Sequence, residues 1–525
     1  MRGEAAVLAP PETTGIPSAP SETAVPALRH NFISALICTA ENGFGHDVDP
    51  FLALCHETWD EERLWDAVKD LPHGRARQEG PSADAEPFGF DLGPCSAKRT
   101  RLMFAAKIGD TVRLRWLLAR GAKLELRDWT GSTALHWAAR AGQAGTAREL
   151  LQRGAAADSV QMDGFSPLLV ACICGHLEVV RELLTRGAPV GTVSNNGATP
   201  LFFASRHGHL EVVRELLARG AAVDAATVEG HTPLLTACGC GYLEVVRELL
   251  AWGAAMDAVA DNSATPLFIA SQEGHLEVVR ELLARGAAVN AARRGNGATP
   301  LLTASGNGRL EVVRELLARG AAVEAADVDG ATPLYAACEG GHVEVVEELL
   351  AWGASVFTMH AEGYTVLHVA SVMGRLEVAR ALLGRVEVNA VDAYGRSPLF
   401  VASHNGFLEV MQLLCEGGAD ATLRDDDGRS ALAHAVFSGH AHVARWLLGC
   451  GAPASQTDKR GLTLLHAAVL AKSATLVRML LERGADFDAR DADGLTALGL
   501  ARRALSAGVP RDAEVLDLLE RWQRG

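Results

Sequence analysis

The sequence predicts an all-α chain of stacked helix pairs. Three observations predict it: a recurrence every 32–34 residues, an apolar stripe at helical spacing inside each period, and a shortage of aromatics. Of 525 residues, 48% are hydrophobic but only 5% aromatic, which suits small repeated units better than several large cores. The recurrence is a Thr or Ser at Thr133, Ser166, Thr199, Thr232, Thr265, Thr299, Thr332, Thr365, Ser397, Ser430, Thr463 and Thr496. A fixed period in this range marks an array in which each unit covers its neighbour's apolar face.

Within a period each element has a physical reason. The Thr or Ser is suited to N-cap a helix, since its hydroxyl accepts from an early backbone N–H. Pro follows it in 7 of 12 units, where a first helical turn tolerates the missing donor. Leu and two small residues come next, as in Leu201, Ala204 and Ser205, so that a short helix lies close to the next one. Gly208 then ends that helix. The second helix reads LEVVRELLARG, with Leu210, Val213, Leu216 and Leu217 on one stripe. Glu211 with Arg214, and Glu215 with Arg219, fall at ion-pair spacing on its wet side. Gly220 closes it, and a further Gly two residues before the capping Thr (Gly197, Gly230, Gly330) marks a tight turn.

The unit resembles the ankyrin repeat. Gly-Ser-Thr-Ala-Leu-His at 131–136, Gly-Ala-Thr-Pro-Leu-Phe at 197–202 and Gly-Ala-Thr-Pro-Leu-Tyr at 330–335 fit its signature. The resemblance covers 98–525 and implies an all-α ankyrin-repeat solenoid. It has 12 turn-bearing units, opening near 128, 161, 194, 227, 260, 294, 327, 360, 392, 425, 458 and 491. A helix pair, Leu102–Ala106 and Val112–Ala119, precedes them as an N-terminal cap, and Ala504–Asp512 lengthens the last unit. In front of the array, 1–29 reads as a disordered segment and 30–74 as a short helical segment of unknown role. Residues 75–97 read as a linker.

Three irregularities interrupt the pattern. Ser263 replaces the turn Gly, the tip Arg293-Arg294-Gly295-Asn296 carries an insertion, and the unit of Val366 is one residue short at Leu382–Val386. Residues 199–226 and 265–292 differ at four positions, Phe203/Ile269, Arg206/Gln272, His207/Glu273 and Asp224/Asn290. Arg206, His207, Gln272 and Glu273 lie on the last turn of the first helix, which in ankyrin-like folds lines the concave groove together with the fingertip turns. The resemblance therefore implies partner binding there. Trp129, Tyr364 and Tyr394 are fingertip aromatics, and Phe165 follows a turn Gly. His207, His231 and His404 stand outside the structural histidine slots and are expected to face the groove. Arg293 and Arg294 add charge, and Ile173, Met373 and Arg396 complete the candidate set.

Histidines at 136, 368 and 466, and those at 176, 209, 275, 342 and 440, fall in slots that the resemblance assigns to bonding between neighbours. Cys172 and Cys174, like Cys238 and Cys240, are two apart and point to different helix faces, so neither pair clamps a metal ion. No zincin, phosphate-loop, dinucleotide or nucleophile-elbow motif occurs. The expectation is no enzyme, no catalytic residue, no cofactor and no metal. A net charge of −15 argues against nucleic-acid binding, and no run of 18 apolar residues predicts membrane insertion. The first 28 residues lack a basic start followed by an apolar stretch, and the ten scattered cysteines do not form a secreted framework. The chain is thus expected in the cytoplasm or nucleus, as a monomeric scaffold or adaptor binding proteins along the groove. The alternative is a ubiquitin-ligase substrate receptor recruited through 30–72, where Cys55, Trp59 and Leu64-Trp65 faintly resemble the tail of an F-box.

Overall fold

The computed structural model describes residues 99–260, 263–357, 363–506 and 512–524. The segments expected at 1–29, 30–74 and 75–97, and the F-box-like stretch with them, lie outside the described residues. Among those residues every regular element is a helix, 26 in all. They fall into two compact units, one up to Met162 and one from Asp163 onward.

The first unit holds the helices Arg101–Ile108, Thr111–Ala119, Ala134–Arg140 and Ala144–Gln152. The expected leading pair is present, capped by the Thr100 hydroxyl on Met103 N–H (3.2 Å) and the Asp110 carboxylate on Arg113 N–H (2.8 Å). Leu102, Met103, Leu114, Leu117 and Leu150 are buried. The buried Thr146 hydroxyl donates to the Ala106 carbonyl at 3.2 Å, and Arg115 meets Glu149 at 2.8 Å. The hydrogen bond from Arg115 holds the Glu149 carboxyl below its ordinary range against the opposing effect of burial.

The second unit contains eleven helix pairs, from Pro167–Cys174 with Leu177–Thr185 to Ala497–Ser506 with Asp512–Arg524. First helices pack on first helices and second on second. The hydroxyls of Thr199, Thr232, Thr265, Thr299 and Thr332 accept from the third following N–H at 3.2–3.3 Å, each with Pro at the next position. Ser397 makes no such bond. In the helix Leu210–Ala218 the buried stripe is Val212, Val213, Leu216 and Leu217. Leu210 was expected there, but as the first helical residue it sits at the edge of the packed face and Val212 takes its place. Ser205, Ser271 and Cys172, Cys238 and Cys338 fill the small packing slot, fully buried.

The irregularities take definite forms. Ser263 is held at φ 60°, the left-handed conformation its turn requires, and Lys472 adopts φ 54° in a place usually given to glycine. At the insertion the turn closes one residue wider, with Gly297 N–H on the Arg293 carbonyl (2.9 Å) and Gly295 at φ 98° absorbing the extra residue. In the short unit the second helix runs only Leu376–Leu382. The Gly-Ala that closes the other second helices is missing there, and Gly384, at φ 80°, follows the early helix end with Arg385 behind it.

Candidate protein-recognition face

Several fingertips are built by their own side chains. Asp392 Oδ1 accepts from the N–H groups of Tyr394 (2.8 Å) and Arg396 (2.9 Å), and Asp425 does the same for Asp427 (3.0 Å) and Arg429 (2.8 Å). In the first unit, Asp128 holds Thr130 and Ser132, both at 2.9 Å. The sequence reading did not single out these aspartates, although their recurrence three residues before the turn glycine was visible. Neighbouring tips are then tied backbone to backbone. Val228 N–H donates to Asn196 O (2.9 Å), Val328 to Asn296 (2.9 Å), Asp426 to Tyr394 (3.1 Å) and Lys459 to Asp427 (2.9 Å).

The ends of the first helices are tied as well. His209, His275 and His342 place Nε2 3.0–3.1 Å from the carbonyls of Ile173, Gly239 and Gly306, one repeat back. Arg309 and Arg375 occupy the same slot and donate Nε–H to Gln272 O and Glu339 O, both at 3.1 Å. Where His440 was expected to make this bond, His442 makes it instead, to Gly406 O at 2.9 Å. His368 and His466 bond their capping Thr through Nδ1 and reach the carbonyls of Arg396 (2.9 Å) and Leu495 (3.0 Å) through Nε2.

On this frame the candidate residues divide. In the first unit, Trp129 projects from its tip, 62% exposed. In the second, Phe165 packs on Phe203 (ring centroids 5.4 Å) and joins Ile173 over Leu169 and Phe202, so these two are partly buried packing residues. Arg206 and His207 are exposed beside them. Burial, then His209 and Arg206, lower the His207 pKa. His231 is half-buried, 3.8 Å from Glu229. Gln272 donates to Glu273 at 2.9 Å. The Arg293 guanidinium lies 5.8 Å over the Phe268 ring, and Arg294 is exposed.

Farther along, the structure brings candidates together. Arg396 is ion-paired to Asp392 at 2.7 Å, bonds the Tyr364 hydroxyl at 2.8 Å, and lies 4.7 Å over the Tyr394 ring. Burial opposes the ionisation of Asp392, but the bonds from Arg396 outweigh it and its pKa is lowered. His404 bonds the Ser438 hydroxyl at 2.9 Å. Tyr394, Arg396 and His404 line one hollow of about 470 Å³ with Phe400, Val401, Asp425, Asp426, Asp427, Arg429, His434 and Phe437. The last six polar and aromatic groups of the following repeat were missed, because only packing sets them beside Tyr394. The Asp-Asp-Asp run was the available signal. Met373, 41% exposed, does not line the hollow.

Trp252 and Trp352 stand in the position before a closing glycine where the other repeats carry Arg219, Arg285 and Arg319. Each donates its indole N–H to the glutamate one turn back on its own helix, Glu248 (3.1 Å) and Glu348 (3.0 Å), and stays half exposed. Among the described residues no group of His, Cys, Asp and Glu forms a metal cage, and no helix is long and apolar enough to cross a membrane.

The family description "Ankyrin repeats (3 copies)" matches the chain over 88–163, 145–227, 168–262, 221–293, 252–327, 285–360, 323–392, 367–458, 399–491 and 432–507. No curated protein matches it. The chain is similar to the crystal structure of the human ASB11 ankyrin repeat domain at 33% identity and a TM-score of 0.40, over 42% of this chain and 99% of that one.

Proposed function

We propose, from the premise that this chain belongs to the ankyrin-repeat family, that it is a non-catalytic scaffold or adaptor for other proteins. Ankyrin repeats are typically protein–protein interaction modules. The face in question is formed by the fingertips and first-helix ends of residues 163–524. One observation carries the reading. The fingertip backbone is bonded internally, through Asp392, Asp425 and the tip-to-tip bonds, while Tyr394, Val228, Val328 and Arg206 remain exposed. Exposed side chains on a backbone already ordered bind at little further entropic cost. Partners are proteins, with no nucleic acid and no membrane insertion, and the array acts as a monomer. Free, buried Cys172, Cys238 and Cys338 fit a reducing cytoplasm or nucleus.

The test is proximity labelling in cells with the full chain and a triple variant, Arg206→Ala, Tyr394→Ala and His404→Ala. The expected result is a set of proteins labelled by the parent and lost from the variant, at equal expression and thermal midpoint. Identical labelled sets overturn the reading.

A further inference from the structure

We infer that the hollow between Tyr394 and Phe437 receives an arginine side chain from a basic segment of a partner protein. This rests on the scaffold reading and names the partner chemistry for one place on that face. The hollow lies between two consecutive repeats. The tips carrying Tyr394 and Asp425–Asp427 form one side, and the ends of the helices Pro398–Asn405 and Ala431–Phe437 form the other. Its floor is the fully buried Phe400, stacked on His434 at 5.6 Å, and the exposed ring of Tyr394 stands at its mouth. Aromatic walls of this kind attract a cation placed over a ring face.

The charges in and behind the hollow select the sign of the ligand. Both guanidinium groups are already engaged: Arg396 by Asp392 and Tyr364, and Arg429 by Asp458 (3.3 Å) and Asp427 (3.2 Å). His434 is bonded to Asp425 at 2.8 Å, and burial keeps both His434 and His404 less basic than usual. Two cations thus face five carboxylates, those of Asp392, Asp425, Asp426, Asp427 and Asp458. The Asp426 carboxylate is exposed, and its side chain has no hydrogen bond or ion pair among the described residues. An anion entering here meets no unengaged cation. Arg396 covers one face of Tyr394 at 4.7 Å, and on the opposite face of this exposed ring a planar guanidinium stacks and forks onto Asp426, a geometry an ammonium ion does not match.

The probe is Nα-acetyl-arginine amide, followed by saturation-transfer NMR on the full chain. Nα-acetyl-citrulline amide, of the same shape without the charge, and Nα-acetyl-glutamate amide are the comparisons. The arginine probe is expected to saturate, with the other two weaker by about tenfold or more. Tyr394→Phe retains binding, whereas Tyr394→Ala and Asp426→Asn each weaken it about tenfold at an unchanged thermal midpoint. Equal binding of the citrulline amide, or full arginine binding to the Tyr394→Ala, Asp426→Asn double variant, overturns the inference. Such a failure alongside fingertip-dependent labelling in cells removes only this site, whereas loss of the labelling removes the scaffold reading itself.

Discussion

Arg214 reaches Glu248 in the next repeat at 2.9 Å while its other arm holds Glu211 of its own helix at 2.8 Å. The same double contact is made by Arg181, Arg247, Arg280 and Arg314, on Glu215, Glu281, Glu315 and Glu348 in turn. The receiving glutamates are held from the other side by Arg219, Arg285 and Arg319, or by the indoles of Trp252 and Trp352. The result is a staircase of ion pairs across the second helices. It stops where Glu347 stands in the arginine slot and Ala381 in the following glutamate slot.

Extending that staircase is the first prediction. Glu347→Arg with Ala381→Glu should raise the thermal midpoint by about one degree at low salt, the modest gain expected of exposed pairs. The gain should vanish in about 0.5 M NaCl, where screening is strong. No gain at low salt would mean that the staircase adds nothing to stability.

Backbone strain gives the second. Ser263 and Lys472 hold left-handed backbone, φ 60° and 54°, at a cost glycine escapes. After allowing for the flexibility that glycine adds to the unfolded chain, Ser263→Gly and Lys472→Gly should each stabilise by about 0.5–1 kcal/mol. Urea unfolding would show this as later midpoints, and earlier midpoints would contradict it.

The third concerns the shared carbonyl slot. Arg309→His should be tolerated within about 0.5 kcal/mol, because His275 and His342 make the same bond with an imidazole. Arg309→Ala should cost about 1 kcal/mol, by leaving the Gln272 carbonyl without its donor. Equal losses in the two variants would show that the bond does not matter.

Acid should weaken the fold through His368. Burial lowers its pKa, and its Nδ1 accepts from Thr365 N–H at 3.2 Å while Nε2 faces the Arg396 carbonyl. A proton on Nδ1 would turn that acceptor into a donor facing a donor. The unfolded chain therefore binds the proton more readily, and stability is full above the ordinary histidine pKa of about 6.5. It is lost as pH falls through the folded-state value below that. Urea midpoints at pH 7.5 and 5.5 should differ less in His368→Gln than in the parent, and an unchanged difference would exonerate this residue.

Thiol accessibility is the fifth test. Cys172, Cys238 and Cys338 are buried, and burial raises the pKa of each thiol, so they should escape iodoacetamide in the native chain. Cys240 and Cys450 are exposed and should be alkylated. Cys415, pushed up to about 11 mainly by burial, should react slowly. Mass spectrometry after brief labelling reads all six. Early modification of Cys172 would reveal local opening of its repeat.

The amino-acid order alone determined the repeat, its caps and the strained turn at Ser263, because these depend on residues within a few places of one another. Thr199 caps through Phe202 N–H three residues on, and Ser263 lies where the period demands a glycine. Whether an exposed-looking aromatic is free depends on the neighbouring repeat, and there the reading from residues alone ran out. Phe165 is covered by Phe203, thirty-eight positions away. The acidic hollow likewise required packing to lay Asp425–Asp427 and Phe437 against Tyr394. Local hydrogen bonding is written in short-range spacing, whereas burial and net charge at a surface are sums over residues that only tertiary contact assembles.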